Sequence, residues 1–302
     1  MLDLDKNRTA VPPREAATLL LVRDRDERLE VFCVVRHVKS GFLGGAVVFP
    51  GGKVDDSDRD ADWAKQAHGA ARFELEEDEA ISRAYAVAAC REALEEAAIL
   101  PAASRPLTHE EAIALRAELA NAGRADLAKE GTGFLAALAK RSLTLELATL
   151  HPFARWVTPI AEGRRFDTRF FLAAAPLGQE GAHDAHETTA SFWGTPREVL
   201  ERFDRAEIQL APPTHRCLEL LTTVSSTHDA FALSARLTVD PICPRLVEVP
   251  KGEETEASLA LVLPGDPDHE IAVPRVPGRS RFVLRGERWV PEDAAQGPTS
   301  LP

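Results

Sequence analysis

Two apolar runs near the start of the chain, at residues 16–22 and 29–35, predict a pair of buried β-strands. The charged segment between them, residues 23–28, predicts the turn that joins the two strands. A third short strand is predicted at residues 46–49, and the proline and two glycines at 50–52 predict where it ends. The first fifty residues therefore predict the beginning of a β-sheet that leads into a tight turn.

A long helix is predicted for residues 77–99, because this segment contains neither glycine nor proline before Pro101. The acidic segment in front of it, residues 53–71, is predicted to be irregular. Residues 107–147 predict further alanine-rich helix, and the threonine and glutamate of residues 108–111 predict its N-terminal cap. One buried stripe is predicted along the long helix, formed by Ile81, Ala84, Tyr85, Ala88 and Ala89.

The second half of the chain alternates between β-prone and helical segments. Strands are predicted at 153–160, 169–173 and 191–193, and helices at 196–203 and 213–224. Beyond about residue 236 the chain is rich in proline and carries short β-prone runs. We expect residues 1–235 to form one domain, with insertions at about 59–79 and 103–150, and residues 236–302 to be an extension packed on that domain.

A net charge of −12 over 302 residues argues against nucleic-acid binding, which depends on basic side chains that meet phosphates. No apolar run is long enough to span a bilayer, and the first residues lack the pattern of a secretory leader. The four cysteines contain no CxxC pair, and the apolar surroundings of two of them, Cys33 and Cys90, predict buried thiols. A reducing compartment, the cytoplasm, is therefore expected, with two disulfides as the open alternative.

Three carboxylates lie in the predicted long helix at helical spacing, on Glu92, Glu95 and Glu96. This spacing places them on one helical face, where like charges repel one another unless a cation is present. Hard divalent cations such as Mg²⁺ take oxygen ligands and bring phosphate groups into the same coordination shell. The pattern therefore favours a metal site for phosphate chemistry, and the simpler alternative is an acidic face in solvent.

The segment Phe49-Pro50-Gly51-Gly52 supplies a second element of the candidate site. Glycines have no side chain, so the backbone of Gly51 and Gly52 can approach a metal ion or a phosphate group closely. A plain turn is the alternative interpretation of these four residues taken alone.

Together these residues resemble the signature of the Nudix hydrolases. Gly52 matches its first glycine, and residues 91–96 with Ile99 match its helical half. The resemblance implies an α+β fold, a Nudix α/β/α sandwich with a mixed β-sheet, here with helical insertions and a C-terminal extension. The chain departs from the pattern in having Asp58 in place of a glutamate, a long insertion before Arg91, and Ala98 in place of the glycine that ends the helix. With that glycine missing, we expect the helix to end at Pro101.

The resemblance is narrower for the coenzyme A diphosphatase branch of that superfamily. The segment at 49–58 is similar to that branch's opening motif, and one group within the branch also carries a long insertion in its signature. Further similar stretches cover much of the chain, at residues 36–52, 155–159, 164–173, 211–214 and 263–267. The implied activity is Mg²⁺- or Mn²⁺-dependent cleavage of coenzyme A or acyl-coenzyme A to 3',5'-ADP and (acyl-)phosphopantetheine.

The resemblance also implies roles for individual residues. Glu95 and Glu96 become the principal metal ligands, and Glu92 a further ligand, either direct or through water. Arg91 orients these carboxylates by ion pairing. Asp58 and the Gly51 backbone complete the expected metal-binding set. Glu187 in the loop before the strand at 191–193 is the candidate for a late ligand or a general base, with a plain surface glutamate as the equal alternative.

The expected substrate-binding residues are basic side chains and glycines. A coenzyme A molecule carries three anionic phosphates, which suit charged hydrogen-bond donors. Trp156 and Phe166 offer adenine stacking, although buried aromatic rings are the more usual outcome. The pair His183 and His186 is a weak metal signal. The basic and glycine candidates are Arg36, His37, Lys39, Gly51, Gly52, Arg164 and Arg165.

Two other functions stay open at this point. A Nudix hydrolase can act on another nucleoside diphosphate derivative, such as ADP-ribose, NADH or a nucleotide sugar. A Nudix fold can also serve as a weakly catalytic binding module. The expected partner is in each case a small diphosphate molecule, without nucleic acid or membrane, and the sequence is compatible with a homodimer.

Overall fold

The fold is given by a computed structural model that describes residues 4–5, 8–38, 44–69, 71–73, 77–124, 133–184, 188–251 and 254–294. The helices are α1 (Trp63–Gln66), α2 (Glu79–Ala97), α3 (His109–Arg124), α4 (Phe134–Ala139), α5 (Pro196–Asp204), α6 (Pro212–Leu221) and α7 (Thr227–Ser234). The strands are β1 (Arg14–Arg25), β2 (Arg28–Arg36), β3 (Val47–Val48), β4 (Gly51–Lys53), β5 (Ala67–His68), β6 (Leu145–Glu146), β7 (His151–Val157), β8 (Phe166–Ala174), β9 (Thr188–Gly194), β10 (Pro241–Ile242), β11 (Arg245–Lys251), β12 (Glu254–Val262), β13 (Arg281–Arg285) and β14 (Arg288–Glu292).

The central sheet has eight strands and is mixed. Its main order is β10-β7-β8-β1-β2-β3, with β4 paired to β1 and β9 paired to β2. The pairs β1–β8 and β10–β7 are parallel, whereas the others are antiparallel. β1 and β2 form the predicted hairpin, and its turn is shorter than the predicted charged segment because Asp26 and Glu27 adopt positive φ values of 50° and 59°.

Both faces of this sheet are covered, which explains the continuous apolar run of β1. Successive strand residues point to opposite faces. Leu19 and Leu21 therefore join a core with α2, while Leu20 and Val22 join a second core with α5 and α6. The three layers confirm the predicted α+β fold with a mixed sheet.

Helix α2 confirms the long helix predicted at 77–99. Asp78 caps its N-terminus by accepting hydrogen bonds from the backbone of Ala80 and Ile81. Its C-terminus differs from the prediction that the helix continues to Pro101. Ala98 itself adopts the left-handed conformation, with φ of 52°, and its N–H donates to Leu94. The proposed stripe is buried except at Ile81, which is 40% exposed because it lies in the first helical turn.

The inserted segments have more structure than the sequence predicted. The acidic stretch 53–71, predicted to be irregular, contains a 3₁₀ helix at Asp56–Arg59, the short helix α1 and strand β5. Buried Trp63 organises it by packing against Phe134 of the second insertion. Thr108 and Glu111 form the predicted capping pair at the start of α3.

The C-terminal extension forms its own antiparallel sheet, in the order β11-β12-β13-β14. Phe282 and Leu261 belong to the same core as α5 and α6, so one face of this sheet packs on the main body. Buried Arg216 of α6 donates a hydrogen bond to the carbonyl of Arg279 and joins the two parts. Asp266 and Arg281 form a bidentate buried ion pair within the extension.

Three further local predictions need correction. The glycines at 51–52 do not end the β-structure but form strand β4, because their backbone pairs with β1. Helix α7 was not anticipated, and β8 begins at Phe166, three residues before the predicted strand at 169–173.

The cysteines are unpaired thiols, and burial raises the pKa of Cys33 and of Cys90 to about 12, which confirms the buried thiols expected at both positions. Among the described residues, no helix combines the length and the hydrophobicity needed to cross a bilayer.

Candidate active site

Strand β4 lies directly against the carboxylate-bearing face of α2. The backbone N–H of Gly51 donates to Oε2 of Glu96 over 3.0 Å. A side chain on Gly52 would overlap the carboxylate of Glu92, and one on Gly51 would lie 2.6 Å from the carbonyl oxygen of Ala17. Glycine is therefore required at Gly51 for the strand to fit against the backbone of β1, and at Gly52 it leaves the space that the Glu92 carboxylate occupies.

Arg91 connects the two halves of the signature across the insertion. Its guanidinium donates to both oxygens of Asp58 over 2.9 and 2.8 Å, and to the carbonyl of Lys53 over 2.9 Å. The same side chain donates to Glu92 over 2.8 Å and to Glu95 over 3.2 Å. The long insertion therefore leaves the signature residues together.

Asp58 lies behind this arginine and is 2% exposed. Its Oδ2 also accepts the backbone N–H of Asp55, so both oxygens are engaged within the protein. The sequence analysis expected Asp58 to be a metal ligand. Its placement instead favours a role in holding Arg91.

The electrostatics reflect several carboxylates around one arginine. Burial alone would lower the pKa of Arg91, but the hydrogen bonds to Asp58 and the charges of Glu92 and Glu95 raise it above its usual range. Burial raises the pKa of Glu95, and the nearby Arg91 only partly opposes that shift. The site sets the four carboxylates of Asp58, Glu92, Glu95 and Glu96 against one buried arginine, so the carboxylates outnumber it.

The donor set fits a hard divalent cation, which prefers carboxylate and carbonyl oxygens. Glu92 and Glu95 line the cavity described below together with Gly51, and Glu96 lies immediately behind Gly51. Within the described parts of the chain, no three acidic, histidine or cysteine side chains converge on one point. Arg91 instead draws Glu92 and Glu95 towards itself.

A cavity of about 1240 Å³ opens from these carboxylates across the sheet. Its floor consists of residues of β1, β8 and β7, among them Thr18, Phe170 and Trp156. Its walls come from the start of α6 and from the C-terminal extension, which contributes Pro244 and Leu261. The volume exceeds the range of about 300–1,000 Å³ that is common for small-molecule sites.

Most of the basic residues expected at the site line this cavity. Arg36, His37 and Arg164 line it, and so do Arg14 and Lys53, which the sequence analysis did not single out. Lys53 follows Gly52 directly in the sequence, and this position next to the glycine motif could have indicated that it lies at the site. For Arg14, which lies at the start of β1, no motif in the sequence indicated a place in the site.

Arg165 also lines the cavity but is used within the protein. It donates to the carbonyl oxygens of Thr158 and Val11 over 3.0 and 2.6 Å. The two predicted stacking rings differ as well: Phe166 is half-buried on the cavity wall, whereas Trp156 is 3% exposed and lies in the core. Trp156 does line the cavity, but a ring this deeply buried exposes too little of its face to stack on an adenine.

Several predicted residues lie outside the described part of the chain, namely Lys39, His186 and Glu187. His183 is described, and its Nδ1 lies 3.4 Å from the hydroxyl of Ser191.

Known proteins resemble this chain in both sequence and structure. The family model described as NUDT19 Nudix domain matches residues 71–220. A crystal structure of a NUDIX hydrolase from Alicyclobacillus acidocaldarius is 32% identical with a TM-score of 0.61, and the match covers 74% of this chain and 97% of that one. A protein named acyl-coenzyme A diphosphatase NUDT19 from Gallus gallus is 29% identical, and the match covers 74% of this chain and 71% of that one. The protein of the same name from Homo sapiens is 30% identical, and the match covers 72% of this chain and 64% of that one.

The chain belongs to the Nudix hydrolases. The predicted superfamily and its coenzyme A diphosphatase-like branch are confirmed by these matches, as is the prediction of a Nudix enzyme.

Proposed function

We propose that this enzyme hydrolyses the diphosphate of coenzyme A or acyl-coenzyme A to 3',5'-ADP and (acyl-)phosphopantetheine, with Mg²⁺ or Mn²⁺ as cofactor. The observation that carries the proposal is the large cavity, which joins the carboxylates of α2 to several basic side chains and to an apolar wall. Coenzyme A combines the same three features, since it has a diphosphate, further anionic charge and a long arm. The names of the curated relatives support the same substrate class.

The proposed ligands are the carboxylates of Glu92, Glu95 and Glu96 and the backbone of Gly51. A divalent cation bound there neutralises phosphate oxygens and lowers the pKa of the attacking water. Arg91 orients Glu92 and Glu95, and Asp58 positions Arg91.

The proposed proton acceptor is Glu187, and this role rests on the sequence argument alone. Glu95 is proposed as a ligand and not as the base, because a bound cation would oppose the rise that burial causes in its pKa.

The basic residues of the cavity are proposed to bind the phosphates of the substrate. Arg36 and Arg164 are the strongest candidates from the sequence, with His37 beside them, and Arg14 and Lys53 are added by the structure. In the described part of the chain, no acidic side chain forms an ion pair with Arg14, Arg36, Lys53 or Arg164, so their charge is available to an anion. Four unpaired thiols fit the expected location in the cytoplasm.

The test is a comparison of kcat/KM for coenzyme A, acetyl-coenzyme A, ADP-ribose, NADH and UDP-glucose with saturating Mg²⁺ and with Mn²⁺. The proposal requires the two coenzyme A substrates to be cleaved most efficiently. Efficient cleavage of one of the others with coenzyme A intact would retain the chemistry and reject the substrate. Binding without cleavage of any of the five would instead support a binding module.

A further inference from the structure

Trp156 presents a buried hydrogen-bond donor without an acceptor. The side chain is 3% exposed, and its indole N–H has no hydrogen-bond partner among the described residues. A buried tryptophan N–H usually has a hydrogen-bond acceptor, because a buried donor without one destabilises the folded protein. Trp156 also lines the large cavity, so an acceptor on a bound molecule can reach this part of the protein.

The strand register fixes how far Trp156 lies from the carboxylates. Gly51 of β4 pairs with Thr18 of β1, and Thr18 pairs with Phe170 of β8. Trp156 of β7 pairs with Thr168, two residues before Phe170 on the same face. Three strand spacings of about 4.8 Å and a two-residue offset of about 7 Å along the strand separate Gly51 from Trp156, a distance of about 16 Å along the cavity floor.

The cavity wall near this floor is apolar and comes largely from outside the Nudix signature. Leu261 of β12 is 1% exposed and belongs to the same core as Trp156 and Phe170. Pro244, which precedes β11, is also buried and lines the cavity. The C-terminal extension thus contributes part of the apolar lining of the cavity.

We propose that this apolar end, formed by Trp156, Phe170, Leu261 and Pro244, binds the pantetheine arm and the acyl group attached to it. The indole N–H of Trp156 donates to a carbonyl oxygen of the arm. The inference rests on the proposed coenzyme A substrate and assigns the C-terminal extension to substrate selection. The arm is linear with two amide groups, similar in length to about four extended residues, or about 14 Å.

The first test is Trp156→Phe, which keeps the ring and removes the donor. We expect the KM for coenzyme A to rise about threefold to tenfold, which corresponds to one hydrogen bond, with kcat within twofold of the wild type. Inhibition by 3',5'-ADP, which carries the nucleotide part without the arm, should be unchanged. Trp193→Phe is the matched control, because the indole N–H of Trp193 donates to the carbonyl of Glu180 away from the cavity.

The second test is Leu261→Phe, which narrows the apolar end. The ratio of kcat/KM for decanoyl-coenzyme A to that for coenzyme A should fall about tenfold. Leu259→Phe is its control, two residues earlier on the same face of β12 and packed against the same core. This control should leave the ratio unchanged.

The outcomes separate the two proposals. If the wild type cleaves coenzyme A but Trp156→Phe has an unchanged KM and Leu261→Phe an unchanged ratio, the arm site is wrong and the proposed function stands. If Trp156→Phe weakened the binding of coenzyme A and of 3',5'-ADP equally, the arm site would also be overturned, since this result indicates a general distortion of the cavity. A wild type that cleaves other diphosphates and spares coenzyme A would reject both.

Discussion

The carboxylate of Glu92 occupies the space that a side chain at Gly52 would need. One residue lies on strand β4 and the other on helix α2, so the absent side chain leaves room for the Glu92 carboxylate between these two elements. The same packing brings the N–H of Gly51 to Glu96. The glycine pair therefore shapes the carboxylate site as well as the turn of the chain.

Replacing Gly52 by alanine should displace Glu92 and lower kcat/KM by about 10–100-fold, the usual effect of disturbing the groups that orient metal ligands. The free energy of unfolding should change little, because β4 lies at the cavity surface. Gly194→Ala on β9 is the control, since its added methyl group would lie 3.3 Å from Val199, a contact that small shifts relieve. Steady-state kinetics and urea unfolding of both variants measure the two effects, and normal activity in Gly52→Ala would contradict the account.

Replacing Asp58 by asparagine should lower both stability and activity, because it removes the charge that holds buried Arg91. Removing one partner of a buried ion pair costs about 3–5 kcal/mol in unfolding free energy when the other charge is left uncompensated, and the contacts of Arg91 with Glu92 and Glu95 should keep the loss below that range. The comparison variant is Asp167→Asn, which disrupts the half-buried pair with Arg155 and should leave turnover nearly normal. Asp58→Asn with full activity and unchanged stability would mean that Arg91 does not depend on this contact.

The sequence predicted the parts of the site that are defined by local spacing. Glu92, Glu95 and Glu96 follow from helical periodicity, and Gly51 with Gly52 follows from the turn motif. The contact of Arg91 with Asp58 could not be derived from spacing, because 33 positions separate the two residues and only the fold of the inserted segment brings them together.

The cavity depended still more on tertiary structure. Arg14 and Trp156 lie on strands that are distant in the sequence. Arg14 carries no local motif, and the motif that contains Trp156 did not predict which other residues would surround it. The short strand β4 was missed because glycine is usually depleted in strands, and here the close approach of Thr18 and Glu92 favours it. The C-terminal extension was correctly expected to be β-prone, but its contribution to the cavity wall through Leu261 is a long-range contact.

Adding Mg²⁺ or Mn²⁺ to the metal-free enzyme should raise its melting temperature, because a cation relieves repulsion between the carboxylates. Ligand binding to the folded state at 100 times its dissociation constant contributes about 2.7 kcal/mol. Glu96→Gln should abolish most of this gain, and sodium chloride at equal ionic strength controls for simple screening. The same shift in the wild type and in Glu96→Gln would place the cation elsewhere.

The extension should lose stability in acid through Asp266. Burial alone would raise the pKa of Asp266, but hydrogen bonds from Arg281 and Ser280 hold it below the ordinary value. A lowered carboxyl pKa stabilises the folded state above the unfolded pKa of about 3.9, and this contribution disappears as the pH falls through the lower folded value. The stability advantage of the wild type over Asp266→Asn should therefore be full at pH 7 and shrink below about pH 4. Urea titrations at several pH values measure the difference in unfolding free energy between the two proteins. A difference that stays constant with pH would argue against a stabilising ion pair between Asp266 and Arg281.

The most direct test of the central claim is the identity of the products from coenzyme A. The purified enzyme is incubated with coenzyme A and Mg²⁺ or Mn²⁺, and the products are identified by mass spectrometry, with Glu96→Gln as the matched variant. The account predicts equal amounts of 3',5'-ADP and 4'-phosphopantetheine from the wild type, with formation slowed by orders of magnitude in the variant. Intact coenzyme A under conditions in which the enzyme cleaves another diphosphate, or equal cleavage by the variant, would contradict it.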